Sequence, residues 1–392
     1  MCSQCVLRFL NQGEKTLKTL IPILLSSVIL AYLTERTTAD NRGNIRATAG
    51  SKLCFALLVC VLALPIGLRT SYNDTSAYIR GFQKSPELME LLQSGELHIL
   101  KNPAFRIYES VMHGLIDNYH IFFMLPAFFT QYAFAKTIQR YAHSFPIGIT
   151  LYFFLGTYVF SFAAIKQSLA MAILVLALPK LLDKKFGQFY LLTFMAFLFH
   201  TYAIVFAVLP LFTVKPWGWR TFALLFVVFA VVANFESVIG SFLDYASEQG
   251  KEIAEYEVFD NNQINTFRVA VYAVVPLLSL IFGRYLGTKK GTPAYNLLIH
   301  MSIISCAFMI LGTVNGANMF GRMANYFEIG MICSLTWIID QVFTKSSARL
   351  IATVALACFF GYFYYAYRIN LDFDANYYSV TILQFIKSLF SA

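Results

Sequence analysis

The sequence predicts an all-α, polytopic integral membrane protein, and three observations carry the prediction. Charged residues make up only 13% of the 392 residues while 58% are hydrophobic, against roughly a quarter charged in a soluble domain. The apolar residues fall in runs of the length a bilayer demands, about 20 helical residues for a ~30 Å core. Aromatic residues are abundant, 39 Phe and 23 Tyr, as suits lipid-facing helices and interfacial belts. Mean hydropathy is +0.61. The formal net charge of +9 comes from basic residues scattered over short loops, so it bears on membrane orientation and not on nucleic acid.

In chain order the expected spans are 17–34, 53–68, 119–135, 146–164, 167–182, 188–213, 219–243, 266–283, 294–314, 323–343 and 347–366. That gives 11 or 12 crossings, depending on how 188–213 is counted. The first run, Leu17 to Leu33, lacks a small-residue cleavage motif, so it is expected to be a membrane helix rather than a signal peptide. The segment 69–118 is too polar to span and is expected to be a loop with amphipathic pieces such as Phe105 to Leu115. Neither a repeat nor a soluble domain boundary is visible, so 1–392 reads as a single membrane domain.

Cytoplasmic loops carry an excess of Lys and Arg. Arg36, Arg42, Arg46 and Lys52 place 35–52 inside. Lys136 with Arg140, Lys184 with Lys185, Arg284 with Lys289 and Lys290, and Lys345 with Arg349 do the same for their loops. Loop 69–118 and the acidic loop 244–265 then fall outside. These assignments clash by one crossing if 188–213 passes straight through. Either it is a broken or re-entrant pair of legs meeting near His200, which is favoured here, or one of the loops 244–265 and 284–293 breaks the charge rule. A break inside the bilayer is tolerated only where protein or a wet cavity surrounds it.

This orientation gathers the chemically capable residues on the outer side. Arg69 ends a span and is followed by Asp74, Tyr78 and Arg80. Lys166, the one charge between Phe145 and Pro179, marks the turn between two spans, with Gln167 beside it. Arg268 opens a span, Arg322 precedes one, and Tyr326 follows Arg322 by one turn. His200 approaches the same side. Each arginine alone is explained by snorkelling; several cations on one face suggest an anionic ligand. Guanidinium groups bind diphosphate through paired hydrogen bonds, and lysine acts as a point charge. A polyprenyl diphosphate is the obvious membrane-resident candidate. Glu328, inside a span, is expected either to be functional or to pair with Arg322.

Other signals are weaker. Cys54, Cys60, Cys306, Cys333 and Cys358 lie in apolar segments and read as small hydrophobes. Cys2 and Cys5 lack the further ligands a zinc site needs. The D-x-D at Asp372 to Asp374 matches a metal and nucleotide-sugar pattern but follows the last span, on the side where nucleotide sugars are absent. No metal site, cofactor fingerprint or phosphate loop is present.

Four stretches together resemble the EpsG-type, Wzy-like bacterial polysaccharide polymerases. They are Arg69 with Asp74 and Tyr78, the run "IKQSLAMAI" at Lys166, "AFLFH" ending at His200, and Arg322 through Tyr326 to Phe327. Order and spacing also fit over about residues 55–345. Two departures stand out: the family usually has Arg-Gln where this chain has Lys166-Gln167, and a G-x-D-Y where this chain has "SYNDTSAY".

The resemblance implies a fold like the GT-C membrane glycosyltransferases and a metal-independent enzyme without cofactor. Such an enzyme sits in the bacterial cytoplasmic membrane with its site facing the periplasm or cell exterior. It transfers a growing glycan from undecaprenyl diphosphate to a sugar hydroxyl of another lipid-linked repeat. A flippase and a chain-length regulator are the expected protein partners. His200, ahead of Asp74, is the expected general base. Arg69, Lys166, Arg268 and Arg322 are expected to hold the diphosphate, and Tyr78, Arg80, Gln167 and Tyr326 to bind or position substrate. The rival readings are a lipid-linked oligosaccharide flippase, a membrane acyltransferase, and a glycan ligase with the same donor.

Overall fold

The computed structural model describes residues 17–41, 44–95, 97, 102–234, 262–289 and 292–390. Cys2, Cys5, Arg42, Lys290, the end of the 219–243 span and the acidic loop up to residue 261 lie outside the described residues. The fold is all-α: α1 (Leu20–Arg36), α2 (Ala49–Gly67), α3 (Thr75–Gln83), α4 (Leu88–Gln93), α5 (Pro103–Leu115), α6 (Tyr119–Tyr141), α7 (Phe145–Phe154), α8 (Thr157–Ala163), α9 (Ile165–Leu182) and α10 (Phe186–Phe199). A 3-10 segment (Thr201–Phe212) follows, then α11 (Trp219–Ala233), α12 (Thr266–Ile281), α13 (Gly283–Lys289), α14 (Pro293–Leu311), α15 (Ala317–Asn325), α16 (Glu328–Val342), α17 (Lys345–Tyr364), α18 (Phe373–Asn376) and α19 (Ile382–Phe390). Two small antiparallel ladders, β1 (Thr38–Asn41) with β2 (Asn44–Ala47) and β3 (Arg69–Ser71) with β4 (Tyr378–Ser379), had no sequence signal.

Among the described residues, α2, α6, α9, α14 and α17 with its continuation to Asn370 are each long and apolar enough to cross a membrane. The pair α7–α8, bent by 51°, makes a sixth, and α10, the 3-10 segment, α11 and α12 are shorter apolar helices. Their starts follow local chemistry. The side chains of Thr48, Asn118, Asn265, Thr292 and Thr344 each accept a backbone N–H in the first turn of α2, α6, α12, α14 and α17. These caps satisfy donors that the helix itself leaves unpaired. Large apolar side chains on the flanks, such as Leu25 (57% exposed) and Phe226 (71%), face outward as lipid contacts require.

Two expected spans are interrupted. The 146–164 run breaks at Gly156 between α7 and α8, and the 323–343 run breaks at Tyr326 and Phe327 between α15 and α16. The stretch 186–212 is also two pieces. α10 ends at Phe199, His200 is extended (φ −155°, ψ 120°), and the 3-10 segment follows, packed against α10. His200 lies at the end of the molecule where Tyr326 sits. Phe212 packs at a tilt against His300, toward the other end.

The helix ends at 67–75, 115–120, 154–166, 199–201, 265–268, 312–328 and 364–380 gather at one end of the bundle, tied by long-range bonds. Tyr377 Oη donates to the Pro65 carbonyl (2.9 Å), the Val380 N–H donates to the Leu68 carbonyl (3.0 Å), and Asn118 Nδ2 donates to Ser388 Oγ (3.0 Å). The D-x-D belongs to this strap. Asp374 accepts the Lys18 and Thr19 N–H groups at 2.9 and 3.3 Å, so it caps the start of α1, while Asp372 pairs with Arg368 at 3.8 Å.

Gly156 is required where it stands. Its φ is +91°, and a Cβ there would overlap the Tyr367 hydroxyl. Left-handed backbone costs an L-residue about 1–2 kcal/mol, and the clash adds to it. Gly156→Ala is therefore expected to lower the thermal unfolding midpoint in detergent by several degrees. Adding Tyr367→Ala should recover only part of the loss, because the backbone strain stays. An unchanged midpoint in Gly156→Ala would contradict this.

Candidate active site

A cleft of about 240 Å³ opens at the end of the bundle where the helices break. Its charged lining is Asp74 from the turn before α3, Arg268 from the first turn of α12 and Arg322 from α15. Asn73, Asn318, Asn325 and Tyr367 add polar groups, and Ala163, Ala164 and Gly321 leave the space open. Asn318, Arg322 and Asn325 recur at i, i+4 and i+7, so one face of α15 supplies all three. Arg322 Nε donates to Asn318 Oδ1 at 2.9 Å, which holds the guanidinium along that face.

Arg268 is anchored from behind. Its guanidinium lies 5.7 Å from the Tyr272 ring centroid, one turn further along α12. The Tyr272 hydroxyl donates to Glu328 Oε1, and the Thr157 hydroxyl donates to Glu328 Oε2. Glu328 is buried and opens α16, where the helix dipole favours an anion. Its partners are thus Tyr272 and Thr157, with Arg268 as the nearest compensating cation, and not Arg322 as the sequence had suggested. A buried carboxylate is tolerable only when hydrogen-bonded and compensated. Among the described residues, Arg268 Nε has no hydrogen-bond partner.

Around the cleft stands a layer of supporting contacts. Gln167 Nε2 donates to the Arg322 carbonyl at 2.6 Å, joining the head of α9 to α15. Tyr326 is buried, with its hydroxyl 2.8 Å from His200 Nδ1. The Thr201 N–H donates to Asn102 Oδ1 at 3.2 Å, fixing the break after His200 against the start of α5. Lys166 Nζ sits 4.9 Å from the Phe105 centroid and 5.8 Å from that of Tyr78, a cation–π arrangement beside the cleft rather than in its lining. Burial pushes the Tyr78 phenol up to about 12, so it stays neutral.

The structure separates the residues singled out from the sequence. Asp74, Arg268 and Arg322 share the cleft, and Lys166, Gln167, Tyr78, Tyr326 and His200 stand next to it. Arg69 does not reach the cleft. It is fully buried, donating through Nε to Thr75 Oγ1 (3.1 Å) and through Nη1 to the Ile66 carbonyl, with Phe123 beneath it at 4.2 Å. Its role in the fold is to hold the turn that carries Asp74. Arg80 lies in a separate groove with Lys84, Arg106 and Glu109. Asn318 and Asn325 were missed, although with Arg322 they form a polar stripe at helical spacing in the sequence. Tyr272 and Thr157 reach Glu328 from other elements, and Tyr367 reaches the cleft only because Gly156 admits it, so no local pattern marks them.

The fold is that of a multi-pass helical membrane protein, and two guanidinium groups line one small polar cleft in it. The chain belongs to the EpsG family, whose family model matches residues 52–380. Membership points to a polysaccharide polymerase, a glycosyltransferase-like enzyme. No curated protein and no solved structure matches the chain.

A hydrogen bond to a charged partner contributes about 1.5–3 kcal/mol, or roughly 10- to 100-fold in affinity. Arg268→Gln and Arg322→Gln should each weaken diphosphate binding by that factor in calorimetry on the purified protein, while Arg80→Gln should leave it unchanged. Glu109 gives a pH prediction. Burial raises its carboxyl, opposed by Lys166 and Arg106. The folded protein therefore holds that proton to higher pH than the unfolded chain, and stability falls as pH rises through that interval. Glu109→Gln should flatten the dependence of Tm on pH above the ordinary carboxylate range, about 4.

Proposed function

We propose that this protein joins lipid-diphosphate-linked oligosaccharide repeat units into a polysaccharide, with undecaprenyl diphosphate as carrier. The cleft is the carrying observation: Arg268 and Arg322 line the same small space as Asp74. A diphosphate leaving group needs its developing negative charge stabilised more than it needs a proton, and fixed guanidinium groups do this without reorganisation. The acceptor sugar hydroxyl attacks the anomeric carbon of the donor glycan. The new C–O bond forms as the bond to the diphosphate oxygen breaks, Asp74 takes the hydroxyl proton, and the lipid diphosphate departs against the two arginines.

The cleft volume suits the reacting end of a donor, a diphosphate with part of one sugar, and leaves the rest of the repeat outside. Lys166 adds positive potential beside the leaving group. Gln167 fixes the Arg322 backbone, and His200 fixes Tyr326 one turn beyond. In this reading Asp74 is the base, because it lines the cleft, and His200 acts through Tyr326. The basic loops at the opposite end of the bundle support an orientation with the cleft on the outer face of the bacterial cytoplasmic membrane, in which residues 188–213 enter and leave from the inner side. No metal or cofactor takes part. A flippase supplies the substrate, and a chain-length regulator is a further partner.

Purified protein given lipid-linked repeat units is expected to form a ladder of longer glycans, equally with and without chelator. Arg322→Ala and Lys166→Ala should insert normally and lose chain extension; full-length polymer from both would sink the diphosphate clamp. Asp74→Asn should lose turnover while keeping donor affinity. His200→Gln, which can still bond Tyr326, should retain more activity than His200→Ala. Accumulation of lipid-linked repeats trapped on the inner leaflet of a deletion strain would point to a flippase instead.

A further inference from the structure

A second cavity, of about 280 Å³, lies at the opposite end of the bundle from the cleft, between the start of α7, the end of α16 and the start of α17. Its rim and its floor differ in chemistry. The rim holds His143, Asp340, Lys345 and Arg349, while the floor is made by Ile147, Ile339, Ala348 and Ala352. On α17 the positions 345, 348, 349 and 352 recur at i, i+3, i+4 and i+7, so one face of that helix carries two cations at its head and two small apolar residues below. The small residues leave a channel rather than a ridge.

The charges do not cancel. Asp340 is engaged by His143 Nε2 at 3.2 Å, and the His143 N–H is fixed on Thr336 Oγ1 at 3.0 Å. Among the described residues no carboxylate lies within ion-pair distance of Lys345 or Arg349. These two cations are exposed, one turn apart, at the level where a span begins. α17 is also the least buried of the long apolar helices, with Leu350 and Val354 outward, so the channel opens toward lipid. A ligand filling it needs an anionic head at the rim and an apolar tail along α17.

We propose that this groove binds an anionic phospholipid, with the phosphate held by Lys345 and Arg349 and an acyl chain lying over Ile147, Ile339 and Ala352. Headgroup sites of this kind form where basic side chains cluster between helices at a membrane surface. The Asp340 carboxylate bonds His143 and pairs with neither cation. The site is remote from the cleft and its occupancy does not depend on the transfer reaction.

The test uses the full chain, purified and delipidated in neutral detergent, with thermal unfolding and native mass spectrometry as readouts. The probes are phosphatidylglycerol, phosphatidylcholine with the same chains, and inorganic phosphate. Phosphatidylglycerol should raise Tm and remain bound at concentrations where phosphatidylcholine does neither. Lys345→Gln/Arg349→Gln should weaken that binding at least tenfold, and Lys185→Gln, an exposed cation at the same end, should not. Ala352→Phe, which fills the floor and keeps both charges, should also lose the lipid; this separates loss of the site from loss of charge. Equal effects of the two lipids, or full binding by the double variant, would overturn the proposal. Saturation by inorganic phosphate alone would overturn the lipid assignment, as would retention of an acidic protein segment in place of lipid.

Discussion

In lipid, every backbone N–H and carbonyl must find its partner within the protein. That constraint decides where this chain is able to be polar. Its cleft is made almost wholly from places where helices stop: the Gly156 break, the turn at Ala163 and Ala164, the junction at residues 312–328, and the strap after Tyr364. Each interruption frees backbone groups, and each finds substitutes nearby. Gln167 takes the Arg322 carbonyl, Asn102 takes the Thr201 N–H, Tyr377 takes the Pro65 carbonyl, and Arg69 takes that of Ile66. The polar side chains that line the cleft and those that repair the backbone are therefore neighbours. Breaks of this sort are tolerated only where protein or a wet cavity surrounds them, so the cleft and the breaks depend on each other.

Glu328 shows the same logic for a charge. A carboxylate in this setting is costly unless compensated. Here it is bonded by Tyr272 and Thr157 and faces Arg268 through the Tyr272 ring. The arrangement joins α8, α12 and α16 at one point beneath the cleft. Arg268 is thereby held by an internal anion on one side and left open to the cleft on the other. This fixes the direction of its guanidinium.

The fold class was legible because it rests on composition and on the length of apolar runs, both of which a single sequence displays. Arg268 and Arg322 were legible because a cation at the end of an apolar run is conspicuous. Their inward direction was not, since it depends on Asn318 and Tyr272. Arg69 looked equivalent in the sequence, yet the packing of Phe123 and Thr75 encloses it. Arg80 looked contiguous with Asp74, but the α3 turn carries it to another groove. The D-x-D pattern matches a metal motif, though on the side where nucleotide sugars are absent. It serves as a helix cap because Asp374 meets the start of α1, a relation invisible without the tertiary fold. Tyr367 and Thr157 belong to the site through one glycine and one helix bend, neither of which leaves a periodic signature.

The strap after α17 carries a consequence for biogenesis. The bond from Asp374 to the Lys18 N–H joins residues 356 positions apart, and Tyr367 and Leu371 in the cleft wall come from the same stretch. Translation delivers these residues after every other element that lines the cleft. Closing so long a loop is slow because its entropy is lost before its contacts are gained. The helices are thus able to insert and pack while the cleft still lacks one wall. The cleft is complete only once the strap docks, the last step that the order of the chain allows.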